Sequence, residues 1–333
     1  MPGPALVLVH GRSQQMAPAD RGNPATEAAF VLRKKRGWLA GLAKGMTLAG
    51  LPAVDEADVY FPYYGNLFVD AIAAREKAGL ARPDLELAPA PRPESADSLI
   101  LDSARLLGFS PEREPVSEDA ADVAELVRAW QSYTEGDEID FGSVLRNRLL
   151  RAALQYVARK TGASELVIEQ FLTDVAYYLD VEDIRRLVLD EVAGTVRKAA
   201  AEHGTVVLVT HSLGTVVGYD LFDLLAGEVD VPLFVTAGCP LGLPAVMRSV
   251  RPANSDAAQR PGPQLHAAPV PWLNAYDVRD VVALVSPLAG IYTGGVRDER
   301  TFNADAPHSI ADYLSDPDVA RPIGSALAGR SPW

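Results

Sequence analysis

The chain has 333 residues, with 31 basic and 44 acidic side chains and a formal net charge of −13. Apolar residues make up 48% and charged residues 23%, enough to bury a sizeable core, so global disorder is excluded. The acidic balance argues against a nucleic-acid binder and against long-range attraction to an anionic membrane.

One cysteine, Cys239, leaves no intrachain disulfide, and one thiol with five histidines makes no Cys/His zinc pattern. Met1 to Pro4 lead directly into the short apolar run Ala5–Val9 without a basic n-region, and no uninterrupted apolar run approaches membrane-spanning length. The expectation is a cytoplasmic protein without an integral membrane segment. The length suits one large domain with an insertion, or two domains.

Ala5 to Val9 is wholly apolar, partly β-branched and closed by His10-Gly11, as in a parallel strand covered on both faces. Pro24 to Gly50 reads as a helix with its proline at the start and a glycine at the stop. Asp58 to Phe61 reads as a second strand, ended by Pro62. The texture then changes. Pro83, Pro89, Pro91, Pro93, Pro111 and Pro115 mark an extended surface connection.

Helical spacings follow: Val144, Leu145, Leu149, Tyr156 and Val157, then Leu166 to Leu179, then Ile184 to Val192. Arg146, Arg148, Arg151, Arg159 and Lys160 form a basic stretch without acidic residues, read as a solvated helix face or as a docking surface for an anionic substrate or partner. Val206–Val209 is the strongest strand signal, with further strands at Val231–Thr236, Trp272–Tyr276 and Arg300–Phe302. Strands alternating with helices predict an α/β fold, a mostly parallel sheet with helices on both faces.

The chemistry gathers around Val206-Val207-Leu208-Val209-Thr210-His211-Ser212-Leu213-Gly214. This is a strand, a tight turn carrying a serine, and a helix whose amino terminus favours negative charge developing at that serine. The stretch resembles the nucleophile elbow of the α/β-hydrolase superfamily, Gly-x-Ser-x-Gly, with Thr210 in place of the first glycine. The larger, β-branched threonine implies some relaxation of the turn. The resemblance makes Ser212 the nucleophile.

A serine hydroxyl needs a base, and the base needs an orienting acid. Five histidines are available: His10, His203, His211, His266 and His308. His203 ends a helix and His266 lies in a Pro-rich loop. His211, adjacent to the serine in sequence, should point its side chain away from it. His308, in a loop between a late strand and the last helix, resembles the superfamily's catalytic-histidine segment. The superfamily order Ser, acid, His directs attention to Tyr276-Asp277-Val278-Arg279-Asp280-Val281-Val282. By resemblance Asp280 is the acid, and Asp277 is the alternative or a brace of the turn.

The oxyanion requires two backbone donors. The resemblance assigns them to the amides of Leu213 and Arg12. His10, Gly11 and Ser13 complete an oxyanion loop beside His211. Gly238-Cys239-Pro240 resembles a pocket-wall segment after the next strand, with Cys239 where lipase-like members carry serine. Without a partner histidine or acid placed for it by sequence, Cys239 is not expected to act as a nucleophile.

These matches place residues 1–65 and 190–333 in a hydrolase core. They leave residues 66–189 as a helical cap or insertion above the serine. The implied function is hydrolysis of a small-molecule or lipid carboxylic ester through an acyl-enzyme, needing neither metal nor organic cofactor. A lipase, phospholipase, thioesterase, peptidase or acyltransferase would use the same machinery, and a catalytically silent binding module would keep only the fold. Oligomeric state is not written in these motifs.

Overall fold

The computed structural model describes residues 3–11, 14–80, 96–110, 155–160, 165–250, 260–304 and 306–333. The Pro83–Pro93 stretch, Pro111, Pro115, Val144, Leu145, Leu149, the three basic residues at 146, 148 and 151, and both Arg12 and Ser13 lie outside them. The chain divides into two compact units. The first comprises Met1–Ala71, Asp183–Gly242 and Val250–Trp333, and the second Ile72–Glu182 with Leu243–Ser249. The sequence places the cuts after residues 65 and 189; the units part after residues 71 and 182, and residues 243–249 join the second.

The first unit is built on a six-stranded sheet. Its strands are β1 (Ala5–Val9), β2 (Val59–Tyr60), β3 (Thr205–His211), β4 (Asp230–Ala237), β5 (Trp272–Tyr276) and β6 (Val296–Arg300). They lie in the order β6-β5-β4-β3-β1-β2, every neighbouring pair parallel. All five residues of β1 are buried, which is why its run is apolar rather than alternating. The last strand was expected at Arg300–Phe302 and lies at Val296–Arg300. At the sheet's edge it has one neighbour and carries Val-Arg-Asp-Glu-Arg, so its polar sequence conceals it.

Side chains alternate across the sheet. Leu6, Leu8, Val207, Val209, Leu233, Val235 and Leu273 face one way. They share a cluster with Trp38, Leu42 and Met46 of α1 (Pro24–Leu48), Tyr313 and Leu314 of α8 (Ile310–Ser315), and Val319, Ala320 and Ile323 of α9 (Pro317–Leu327). Each Val, Leu, Ile or Met among them contributes about 1.5–3 kcal/mol when fully buried. On α1, Gly41 and Gly45 have no room for a β-carbon, because the backbone carbonyls of Ala311 and Leu314 occupy it. Asn23 caps α1 by accepting from the amides of Ala25 and Thr26.

On the other face α6 (Leu213–Leu224) lies against β1 and β3. It is tied to α5 (Glu182–His203) by the buried Arg185–Asp220 ion pair, whose Nε donates to Oδ2 at 2.8 Å. The remaining helices are α2 (Gly65–Lys77), α3 (Ala96–Leu106), α4 (Glu165–Asp180) and α7 (Pro244–Ser249). In the second unit α3 lies against α4 and α7. There Tyr156 donates to the Leu107 carbonyl at 3.0 Å and meets Phe109 edge-on. Among the described residues, no helix is long and apolar enough to cross a membrane.

After β1 the chain adds β2 on one side and later returns to add β3 on the other. The strand order reverses between β1 and β3, and the crevice outside their carboxyl ends is where open parallel sheets bind ligands. His10-Gly11 ends one of these strands and His211-Ser212 the other.

Candidate active site

Ser212 stands between β3 and α6 with φ 58° and ψ −132°. A positive φ on a serine is strained, and such strain concentrates at functional sites. Its amide donates to Ala237 O at 3.1 Å, and its carbonyl accepts from the Thr215 hydroxyl at 2.7 Å. The turn is crowded. A β-carbon on Gly11 would stand 2.5 Å from Ser212 Cβ, and one on Gly214 would stand 2.5 Å from the carbonyl oxygens of both Val9 and His10. Small residues are therefore required on both sides of the serine.

The resemblance left Thr210 as the departure from pattern. Thr210 is fully buried, and its hydroxyl donates to Val235 O at 2.7 Å. Its methyl occupies space left by Gly218 on α6, where a β-carbon would meet Thr210 Cγ2 at 2.6 Å. The room comes from across the layer.

The Ser212 hydroxyl oxygen is buried and has no hydrogen-bond partner among the described residues. Nucleophile–base contacts are often long before substrate binds. The His–Asp pair reaches the same strand ends through Gly238. That residue follows Ala237, which receives the Ser212 amide, and it has φ +56°. A β-carbon on Gly238 would stand 2.8 Å from Asp280 Oδ2 and 2.9 Å from His308 Nδ1.

His308 Nδ1 and Asp280 Oδ2 are 2.8 Å apart. The carboxylate accepts, so Nδ1 carries the proton and Nε2 is left to act as a base. Asp280 is buried, while the His308 side chain keeps 35% exposure. Asp280 Oδ1 accepts the Val282 amide at 2.9 Å, and Oδ2 also accepts the Tyr313 hydroxyl at 2.7 Å. Local sequence holds His308. Ser309 caps α8 by accepting the Asp312 amide, and its own amide donates to Ala306 O at 2.8 Å.

Asp277 is differently employed. It accepts from Arg279 Nη2 at 2.7 Å and from the Asn303 amide at 2.7 Å, and the Asn303 side chain donates to Pro307 O. Burial alone would raise the Asp277 carboxyl. The Arg279 side chain and amide, with the Asn303 amide, outweigh it and hold the group below the ordinary carboxylate range. Asp277 thus braces the loop that carries His308, and Asp280 meets the imidazole.

Two further histidines flank the centre. His10 is fully buried. Its Nδ1 donates to Gly11 O at 2.7 Å, its Nε2 accepts the Tyr64 amide at 3.3 Å, and its ring stacks on Tyr64. Burial pushes it down to about 4, against the Gly11 hydrogen bond and aided by the charge of Lys34. His211 was expected to point away from the serine. Its Nε2 donates to the His308 carbonyl at 3.1 Å, and the two rings lie 4.5 Å apart. Burial first, then the proximity of His308, holds His211 far below the ordinary histidine range. Both flanking rings are neutral.

Leu213 is the first residue of α6, so its amide is among those a helix leaves without an internal partner. Arg12 and Ser13, expected in the oxyanion loop, lie outside the described residues. Cys239 is buried, and burial pushes its thiol up to about 12, against the Leu241 amide that donates to Sγ and the neighbouring Thr215 and Thr236 hydroxyls. It is held as a neutral thiol. His203 reaches the Gly3 carbonyl, and His266 lies half exposed beside Asp230. Among the described residues no group of three or more His, Cys, Asp or Glu is placed to hold a metal ion.

No protein-family model, curated protein or solved structure matches this chain. The geometry of the site stands alone. Sequence reasoning missed Tyr313, which is five residues after His308 and on the buried face of α8. The sequence alone assigns Tyr313 no role, because nothing local shows where its hydroxyl ends.

Proposed function

We propose that the chain is a serine hydrolase of α/β-hydrolase type that cleaves carboxylic esters. Ser212 is the nucleophile, His308 the general acid and base, and Asp280 the group that orients His308. The observation that carries the reading is the 2.8 Å His308–Asp280 pair beside Gly238, at the strand ends where Ser212 sits in a strained turn.

In this reading His308 Nε2 removes the Ser212 proton as Oγ attacks the ester carbonyl. Negative charge on the carbonyl oxygen is met by the Leu213 amide, with Arg12 expected to supply a second donor. Collapse expels the alcohol, which takes the proton from His308. Water, deprotonated by the same imidazole, attacks the acyl-enzyme, and the carboxylic acid leaves as Ser212 regains its proton. Asp280 stays ionised and stabilises the imidazolium in both halves.

A fluorophosphonate probe tests this directly. The native protein is expected to be labelled on Ser212, with Ser212→Ala abolishing both labelling and hydrolysis of p-nitrophenyl esters. Absence of labelling in the native protein, or labelling that survives Ser212→Ala, rejects the reading.

A further inference from the structure

Asp280 Oδ2 receives two donors, His308 Nδ1 at 2.8 Å and the Tyr313 hydroxyl at 2.7 Å. The Tyr313 oxygen in turn accepts the Asp277 amide at 3.0 Å. The chain of donors runs from Asp277 N–H through Tyr313 O–H to Asp280, opposite His308. We propose that Tyr313 is a positioning residue of the catalytic machinery, sharing the carboxylate oxygen that orients His308 and thereby setting the basicity of that imidazole. The proposal rests on the serine-hydrolase reading.

The physical argument is a competition for one oxygen. A donor on Oδ2 disperses its negative charge, so the carboxylate stabilises an imidazolium less. It also fixes the carboxyl plane, so Nδ1–H has one direction to follow. Tyr313 suits this role because its ring is fully buried in the core and its phenol is strongly biased toward the protonated form by burial, then by the Asp280 charge. It donates and does not ionise. Among the described residues, the titratable groups near the cluster include Asp277, neutralised by Arg279, the neutral His211, whose ring lies 6.3 Å from Tyr313, and His10 beyond it.

Two substitutions shift the balance in opposite directions. Tyr313→Phe removes the donor, so His308 should hold its proton to higher pH. Replacing Tyr313 by 3-fluorotyrosine keeps the shape and strengthens the donor, so His308 should lose its proton at lower pH. The measurements are the acid limb of the fluorophosphonate labelling rate and, separately, the His308 ring titration by NMR. The expected displacements are about half a pH unit upward and a smaller step downward.

Tyr313→Phe should also lower the plateau labelling rate about tenfold through lost orientation. If Tyr313→Phe lowers only the melting temperature, or does not fold while the fluorinated protein leaves both midpoints unmoved, Tyr313 is a structural residue and the proposal fails. Because the NMR midpoint needs no turnover, a protein that shows the opposed shifts yet is never labelled keeps the Tyr313–His308 coupling and loses the hydrolase reading.

Discussion

The Cγ2 methyl of Thr210 fills the space that a β-carbon on Gly218 would occupy, at 2.6 Å. A strand residue and a residue one helix layer away are thus sized to each other, and the turn between them carries Ser212. Gly218→Ala is expected to destabilise the protein by about 1–3 kcal/mol, since the new methyl also meets Phe234 at 3.1 Å. Thr210→Ser, which removes the methyl and keeps the hydroxyl, should recover part of that loss. Denaturant unfolding of the two single variants and the double variant checks this. Strict additivity within about 0.3 kcal/mol would show that the pair is not coupled.

The two aspartates of the acid loop should separate cleanly. Asp280→Asn removes the partner of His308 and is expected to lower kcat/KM by about 1,000-fold or more with modest loss of stability. Asp277→Asn breaks the Arg279 pair and weakens the bond to the Asn303 amide. Its activity should fall less than about tenfold, while stability drops by about 1–2 kcal/mol. Steady-state kinetics and thermal melts on both variants decide between them, and the reverse ranking would transfer the orienting role to Asp277.

Gly238→Ala should be disabling without unfolding the sheet. The added carbon would intrude on both Asp280 Oδ2 and His308 Nδ1 at a residue with φ +56°. About 1–2 kcal/mol of backbone strain is expected together with at least about 100-fold loss of kcat. Circular dichroism reports the fold and ester hydrolysis the site. Retained activity would mean that the His–Asp pair tolerates displacement.

His10 makes the fold acid-sensitive. Its value falls from the ordinary 6.5 to about 4 in the folded chain, so the unfolded chain binds the proton first as pH drops. Stability is full above pH 6.5 and declines as pH falls from there to about 4, by about 3 kcal/mol in all. Asp277 is also depressed. Its contribution is present above the ordinary carboxylate value of about 4 and is lost as pH falls through its folded value. The two windows are therefore adjacent. His10→Gln should flatten the decline between pH 6.5 and 4 and leave the more acidic one. Unchanged slopes in urea unfolding at graded pH would contradict the assignment.

Much of the fold is legible in the sequence because its decisive constraints are local. Both faces of β1 are covered, so its five residues are all apolar. Pro24 and Gly50 bracket a helix, and His203 ends another. The strand, serine turn and helix around Ser212 are legible for the same reason. The contacts that complete the site are not local. Tyr313 meets Asp280 across 33 positions and His211 meets His308 across 97, and neither pairing leaves a periodicity. The resemblance selects Asp280 over Asp277, and Asp280 is the one that meets His308; the spacing of two acids three residues apart does not by itself show that Arg279 occupies the other.

The notch at Gly41 and Gly45 has a consequence for synthesis. The partners that close it, Ala311 and Leu314, are made some 270 residues later and sit just downstream of His308. On the ribosome the first long helix emerges with its docking groove empty, while the sheet strands arrive one by one. The segment that fills the groove is the same one that carries His308, so burial of that groove and delivery of the imidazole arrive together, long after the helix itself is made. A nascent chain halted before residue 308 would lack His308 and would leave the groove open to chaperones.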